Sequence, residues 1–107
     1  MDKTIVTIIR HEVLEKLTSV LKENNITFMY SEVKGYCKEV HLYHGDIQTR
    51  IRIEILAKEA DVDKVKNIIL SNACCGFEGD GCISVYNLEE FINFHDYEKR
   101  KGGNDND

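Results

Sequence analysis

The chain has 107 residues, of which 42% are hydrophobic and 31% charged, a composition typical of one globular domain. Its formal net charge of −5 argues against general binding to nucleic acids or anionic membranes, because both need a basic surface. No apolar run approaches the roughly 20 residues of a membrane span, and the first twenty residues do not resemble a signal peptide. We therefore expect a cytoplasmic protein without membrane insertion, whose cysteines are reduced thiols.

The first half of the chain predicts a strand, a helix and a second strand. Residues 3–10 are β-branched and almost continuously apolar, which predicts a central strand. Residues 11–25 change to helical spacing of apolar side chains and end at two asparagines, a residue type that tolerates the left-handed conformation just past a helix. Residues 26–36 return to strand character.

The second half repeats this pattern. In residues 50–57 apolar and charged side chains alternate, which predicts a half-buried strand with a charged second face. Residues 61–73 place apolar side chains at helical spacing behind Asp61, the predicted N-cap. Residues 82–86 predict a fourth strand.

The C-terminal region predicts a short helix and a tail. Asn87 followed by Glu90 resembles a capping box, which predicts a turn of helix directly after the fourth strand. Residues 99–107 lack apolar side chains and predict a flexible tail, so the domain is expected to span residues 1–98.

The element order β-α-β-β-α-β describes an α+β fold, the ferredoxin-like sandwich, with an antiparallel four-stranded sheet and two helices on one face. The first strand is apolar on both sides, so the sheet face without helices needs a cover. In a chain of this size another subunit is the economical cover, and we expect a closed oligomer.

A glycine-rich stretch joins the second helix to the fourth strand. Its glycines can turn backbone N–H groups toward one point, which suits a phosphate and equally suits an ordinary tight turn. Cys82 could lie near a ligand or pack within its strand, and the adjacent Cys74 and Cys75 are interpreted as small buried side chains at a helix end. The residues of this candidate anion site are Gly76, Gly79, Asp80, Gly81 and Cys82.

Residues 37–49 join two strands that a two-residue turn would suffice to join, and excess loop on a rigid scaffold is where binding tends to reside. Cys37, His41 and His44 are residue types that bind metals, but their spacing fits no closed zinc pattern and favours ordinary exposed loop residues. No arrangement of nucleophile and base, or of paired carboxylates, rises above chance, so we do not expect an enzyme.

Five motifs occur in the order and near the spacing of the PII signal-transduction family, which the chain resembles over about residues 3–95. They are TIIR at 7–10, EVKGY at 32–36, LYHG at 42–45, RIRIEI at 50–55 and CGFEGDGCISV at 75–85. The resemblance implies a ferredoxin-like homotrimer that binds ATP or ADP between subunits, often with 2-oxoglutarate and magnesium. It also implies a T-loop, here 37–49, that docks onto a transporter, an enzyme or a transcription regulator.

The family's functional positions can be carried onto this chain only by that resemblance. The glycine-rich B-loop then spans residues 74–82, and the T-loop is several residues short. Residues implied to contact the nucleotide or effector are Gly35, Lys38, Arg50, Gly76, Gly79, Asp80, Gly81 and Cys82. Residues implied to contact the partner protein are Glu39, His41, Tyr43, His44 and Asp46.

The chain departs from the family at positions that contact ligand. Cys82 replaces a phosphate-contacting lysine, and Asn93 and His95 replace two arginines that reach the nucleotide from the next subunit. Glu39 replaces a glutamine that helps bind magnesium and 2-oxoglutarate, and a carboxylate there would repel a dicarboxylate. Each lost charge-assisted contact costs about 1.5–3 kcal/mol, so we expect weakened binding of ATP or ADP.

Two functions follow from these observations. The first is a PII-like regulator, possibly acting in nitrogen metabolism, that binds an adenine nucleotide or related anion and signals through a short T-loop. The alternative is a metal-responsive trimeric protein that resembles the CutA-like branch of the fold and uses Cys37, His41, His44 and Cys82.

Overall fold

The computed structural model describes residues 2–36, 47–76 and 81–104, with side chains described as far as residue 100. Short 3-10 turns, His11–Val13 and Glu59–Asp61, lead into the first two helices. The elements follow in the order β1 (Asp2–Ile9), α1 (Leu14–Glu23), β2 (Phe28–Gly35), β3 (Gln48–Lys58), α2 (Val62–Ala73), β4 (Gly81–Asn87) and α3 (Phe94–Asn104).

The four strands form one antiparallel sheet in the order β2-β3-β1-β4. The apolar strand β1 lies in the interior of the sheet, where Ile5 is opposite Ile55 of β3 and Val85 of β4. This topology confirms the predicted α+β, ferredoxin-like β-α-β-β-α-β fold.

The core lies between one face of this sheet and the helices α1 and α2. Because side chains alternate along a strand and the register pairs odd positions of β1 with odd positions of β3, one face collects the apolar residues of both strands. Leu17 and Leu21, four residues apart on α1, pack onto that face. The members with 0% exposure are Ile5, Leu17, Leu21, Ile53 and Ile55.

The opposite side of the sheet, which we call the open face, carries the alternate residues of each strand. Val6 at its centre is only 8% exposed, whereas Met29 and Tyr86 near its margins are 65% and 56% exposed. Arg52 and Glu54 form an ion pair on it, with Nη2 and Oε1 3.6 Å apart. The second face of β1 is thus partly apolar as expected, and its cover by another subunit stays a prediction.

The ends of the elements largely follow the local signals in the sequence. Asn25, just past α1, has a φ of 57°, which confirms the left-handed conformation expected there. Asp61 precedes α2, but its side chain makes no capping hydrogen bond, since the 3-10 turn already leads into the helix.

The helical turn predicted directly after the fourth strand is wrong. Asn87, the expected cap, is the last residue of β4 and lies opposite Lys3, whose ammonium group donates a hydrogen bond to the Asn87 side chain. The third helix begins at Phe94 and continues to Asn104, so it includes part of the segment predicted as a tail. The flexibility of that segment in solution stays a prediction.

Candidate functional site

The strand register brings the end of β1 and the start of β4 to one edge of the sheet, which we call the site edge, while β2 and β3 continue about three residues beyond them. Ile9 at the end of β1 lies opposite Ile51 of β3 and Gly81 of β4, and Ile51 lies opposite Glu32 of β2. Adjacent strands are roughly 4.8 Å apart, so these four positions form a row roughly 15 Å wide. The 37–46 connection and the glycine-rich stretch both leave the sheet from this edge.

The structure places three of the predicted contact residues close together at this edge. Arg50 is the neighbour of Ile51 in β3, and two strand spacings, roughly 10 Å, separate it from Gly81 and Cys82 at the start of β4. Gly35, opposite Gln48, lies roughly 10 Å further out along the β2–β3 ladder.

The remaining predicted site residues lie outside the described ranges, and their roles stay predictions. Gly76 is described and follows the end of α2. The residues outside the described ranges are Cys37, Lys38, Glu39, His41, Tyr43, His44, Asp46, Gly79 and Asp80.

Position 81 requires a glycine because two backbones approach each other closely there. A Cβ atom at this position would lie 2.2 Å from the carbonyl oxygen of Ile8 in the adjacent strand, far inside van der Waals contact. The atom it would meet is backbone in the middle of a sheet, so neither partner can move away cheaply. The sequence reading gave this glycine only an anion-binding or turn role, although a glycine at a strand position is itself a signal of close backbone approach.

Gly76 is a glycine for a different reason. Its φ of 85° lies in the left-handed region, while a Cβ atom there would meet no atom of the described residues within 4 Å. The backbone therefore turns at Gly76 in a way that other residues adopt only with strain. This conformation is compatible with the anion-binding turn predicted from the sequence.

Thr7 is the polar side chain that the sequence reading missed. It is 1% exposed and faces the core between Ile5 and Ile9. Its Oγ1 donates a hydrogen bond of 2.9 Å to the carbonyl oxygen of Cys82, the second residue of β4. A threonine on the buried face of an otherwise apolar strand signals such a bond, because buried hydroxyls in native structures have partners.

Arg50 supplies positive charge at the site edge. It is half-buried, and its Nη1 donates a hydrogen bond of 3.0 Å to the carbonyl oxygen of its neighbour Thr49. Within the described ranges no carboxylate forms an ion pair with it, whereas Arg52 two residues later is paired with Glu54. Arg50 and Cys82 share the open face, since both alternate with residues that face the core.

A cavity of about 170 Å³ lies between the end of α2 and the strands β1 and β4 at this edge. Sites for small molecules usually enclose roughly 300–1,000 Å³, so this cavity is too small to hold a nucleotide by itself. Its lining is mainly apolar and includes Thr7, Ile9, Ile69, Ala73, Cys74 and Gly81.

The described ranges contain no group of three or more His, Cys, Asp or Glu residues placed to hold a metal ion. Cys74, Cys75 and Cys82 form no disulfide bond within the described ranges and all three are exposed, so the interpretation of Cys74 and Cys75 as buried side chains is wrong. They lie beyond the last buried residue of α2, Ala73, where the chain leaves the core. The loop residues Cys37, His41 and His44 are outside the described ranges, so the metal alternative stays a prediction.

The fold and the loops that leave one sheet edge define a class, the ferredoxin-like α+β proteins with a candidate anion site at that edge. Comparison with known proteins then identifies the family. The family model for nitrogen regulatory protein P-II matches residues 2–98. The chain therefore belongs to the P-II family, which confirms the resemblance seen in its motifs.

Two curated relatives agree with this assignment. The chain is 31% identical over 108 residues to nitrogen regulatory protein P-II 2 of Methanothermobacter thermautotrophicus, an alignment that covers 92% of this chain and 94% of the relative. It is 31% identical over 99 residues to nitrogen regulatory protein P-II of Pasteurella multocida, covering 84% and 88%. None of the helices in the described ranges has the length and hydrophobicity needed to span a bilayer.

Proposed function

We propose that this chain is a trimeric regulator that binds an adenine nucleotide or a related anionic effector between subunits and passes that signal to a partner protein through the 37–49 T-loop. Family membership supports a role in nitrogen regulation rather than catalysis. The partner is a transporter, an enzyme or a transcription regulator.

The observation that carries this proposal is the placement of Arg50, Gly81 and Cys82 at one sheet edge. Gly76, with its left-handed φ, follows the end of α2 two residues after Cys74, which lines the same cavity as Gly81. A guanidinium group matches the geometry of phosphate oxygens, and a turn with a left-handed glycine can point backbone N–H groups at an anion. The apolar cavity beside them is too small for a whole nucleotide, which favours a site completed by a neighbouring subunit.

The charges of the described residues favour weak binding of a triphosphate. Cys82 offers a thiol where the family has a lysine, and the exposed residues Asn93 and His95 stand where the family has two arginines. We therefore expect ADP to bind with an affinity close to that of ATP, because few charges among the described residues are present to bind the third phosphate. The carboxylate of Glu39 would repel the dicarboxylate 2-oxoglutarate but could still ligate a magnesium ion, so 2-oxoglutarate is not expected to be a required co-ligand.

Isothermal titration calorimetry with ATP, ADP, AMP and cyclic nucleotides tests the proposal directly. Arg50→Gln removes the charge at the site edge and is expected to weaken binding of whichever nucleotide binds by roughly ten- to a hundredfold. Arg50→Lys keeps the charge and is the conservative variant, with an expected loss of only a few fold. Arg52→Gln is the matched control, since Arg52 is paired with Glu54 on the same strand.

Two results would contradict the proposal. If no nucleotide gives a measurable heat of binding, nucleotide binding is not part of the function. If wild type and Arg50→Gln bind the nucleotide with equal affinity, Arg50 does not contact it. The placement of residues at the site edge would then no longer support the proposal.

A further inference from the structure

We propose that Thr7 is a positioning residue of the effector site: its buried hydroxyl holds the start of β4 against β1 and so fixes Gly81 and Cys82 relative to Arg50. This inference rests on the proposed function, because it assigns a role within the same site. Thr7 itself is buried and does not touch the effector.

The first step of the argument is the cost of burying the hydroxyl. Thr7 is 1% exposed, and a buried hydroxyl without a partner is costly. Valine has almost the same shape and would fit this face of β1 without that cost. The hydrogen bond to the carbonyl oxygen of Cys82 satisfies the hydroxyl. This bond joins β1 to the adjacent strand β4.

The second step is where that bond acts. Gly81 sits so close to β1 that even a Cβ atom would collide with the carbonyl oxygen of Ile8. The Thr7 bond holds the carbonyl of the very next residue, Cys82. The close approach and the hydrogen bond therefore constrain two consecutive residues at the point where the chain enters the sheet from the glycine-rich stretch.

The third step connects this point to the charge at the site edge. Ile9 of β1 lies between Gly81 on one side and Ile51, the neighbour of Arg50, on the other. The distance from β4 to Arg50 is thus set through β1. A looser β1–β4 contact would widen the separation between the backbone groups at Gly81 and the guanidinium of Arg50, and one effector could then not contact both well.

A set of three variants tests the role of the hydroxyl. Thr7→Val removes it at nearly constant shape, Thr7→Ser restores it without the methyl group, and Thr18→Val is the matched control. Thr18 is also buried, 9% exposed, and its Oγ1 donates to the carbonyl oxygen of Glu15 within α1, away from the site edge.

Two measurements on the full chain give the result. With ADP as the probe, we expect Thr7→Val to weaken binding by roughly three- to tenfold, while Thr7→Ser and Thr18→Val stay within about twofold of wild type. In the ligand-free protein, we expect faster amide hydrogen exchange at residues 81–83 in Thr7→Val alone. The second readout requires no ligand.

Each contrary outcome has a definite meaning. Unchanged exchange at residues 81–83 in Thr7→Val would overturn the inference, whether or not ADP binds. Faster exchange with unchanged ADP affinity would also overturn it, because Thr7 would then be purely structural. If wild type binds no nucleotide, the proposed function fails, while the exchange result still decides whether Thr7 holds the start of β4.

Discussion

Three glycines of this chain occupy three different environments, and substitution by alanine should separate them. Gly81→Ala forces a Cβ atom against the Ile8 carbonyl and should destabilise the protein by more than about 3 kcal/mol. Gly76→Ala has space but a positive φ, and should cost about 1–2 kcal/mol. A Cβ atom at Gly35 meets no atom of the described part of the chain within 4 Å, so Gly35→Ala should stay within about 0.5 kcal/mol of wild type.

Urea unfolding followed by circular dichroism, at one protein concentration, gives the three free energies of unfolding. The prediction depends on their order more than on their absolute values. If Gly81→Ala unfolds at the same urea concentration as Gly35→Ala, the two backbones can separate without cost, and the tight β1–β4 contact does not constrain the site edge.

At the residue scale, the sequence predicts that a position such as Gly81 is important, but it does not predict the structural reason. The glycine at position 81 was identified as a candidate, but its steric reason depends on a strand that is about seventy residues away in the chain. Thr7 was missed because the motif around it reads simply as an apolar strand. Contacts of this kind become visible only when the register of β1 and β4 is known.

At the scale of single elements, the end of α1 offers a local test. Asn25 adopts a φ of 57°, and its N–H donates to the carbonyl oxygen of Lys22 at 3.0 Å. Asn25→Ala should destabilise the protein by about 1 kcal/mol, because alanine lacks the tolerance of asparagine for this conformation. Asn25→Gly should stay within about 0.5 kcal/mol of wild type, since easier backbone geometry offsets the greater freedom of the unfolded chain.

Thermal and urea unfolding of the two Asn25 variants, compared with wild type, provide the measurement. Asn24→Ala is a useful control, because the side chain of Asn24 donates to the carbonyl oxygen of Val20 and contributes through a hydrogen bond rather than through φ. A loss of stability in Asn25→Gly as large as in Asn25→Ala would show that the asparagine side chain, not the backbone, stabilises this helix end.

The four strands and the first two helices all lie near their predicted positions, and two strongly periodic elements show one reason. β3 and α2 are found within about two residues of their predicted ends, because their buried faces dictate both period and length. The third helix was missed. Its sequence is polar with two glycines, and every described side chain in it is exposed, so no buried stripe reveals it.

At the scale of the whole molecule, we expect subunits of the proposed trimer to contact each other through the open face. Leu56, 36% exposed, lies on this face, whereas Leu70, 51% exposed, lies on α2. Leu56→Asp should break the proposed trimer, because it would place an unpaired charge in the surface that we expect a neighbouring subunit to cover. Leu70→Asp changes the same residue type outside that face and should leave the trimer intact.

Light scattering after size-exclusion chromatography measures the mass of each assembly. Wild type and Leu70→Asp should have about three times the 12.3 kDa mass of the chain, and Leu56→Asp about one times that mass. A wild-type protein that elutes with the mass of one chain would contradict the trimer. A trimeric Leu56→Asp would place the interface away from the open face.

Whereas the cover of the second face stays a prediction, the sequence predicted the fold class and the family, which are confirmed. It did not predict that the β2–β3 ladder continues about three residues beyond the row of Ile9, Ile51 and Gly81. That offset follows from the registers of three separate strand pairs, which local propensities do not encode. It places Gly35 outside the group formed by Arg50 and Gly81.

The strand order β2-β3-β1-β4 also affects how the chain folds while it is being synthesised. The central pairing joins Ile5 to Ile55, so β1 has no partner until about half of the chain has emerged from the ribosome. Until then its isoleucines are exposed in an extended, apolar segment of the kind that associates with other chains. We expect folding in milliseconds to seconds rather than microseconds, because a long loop must close before the core can form.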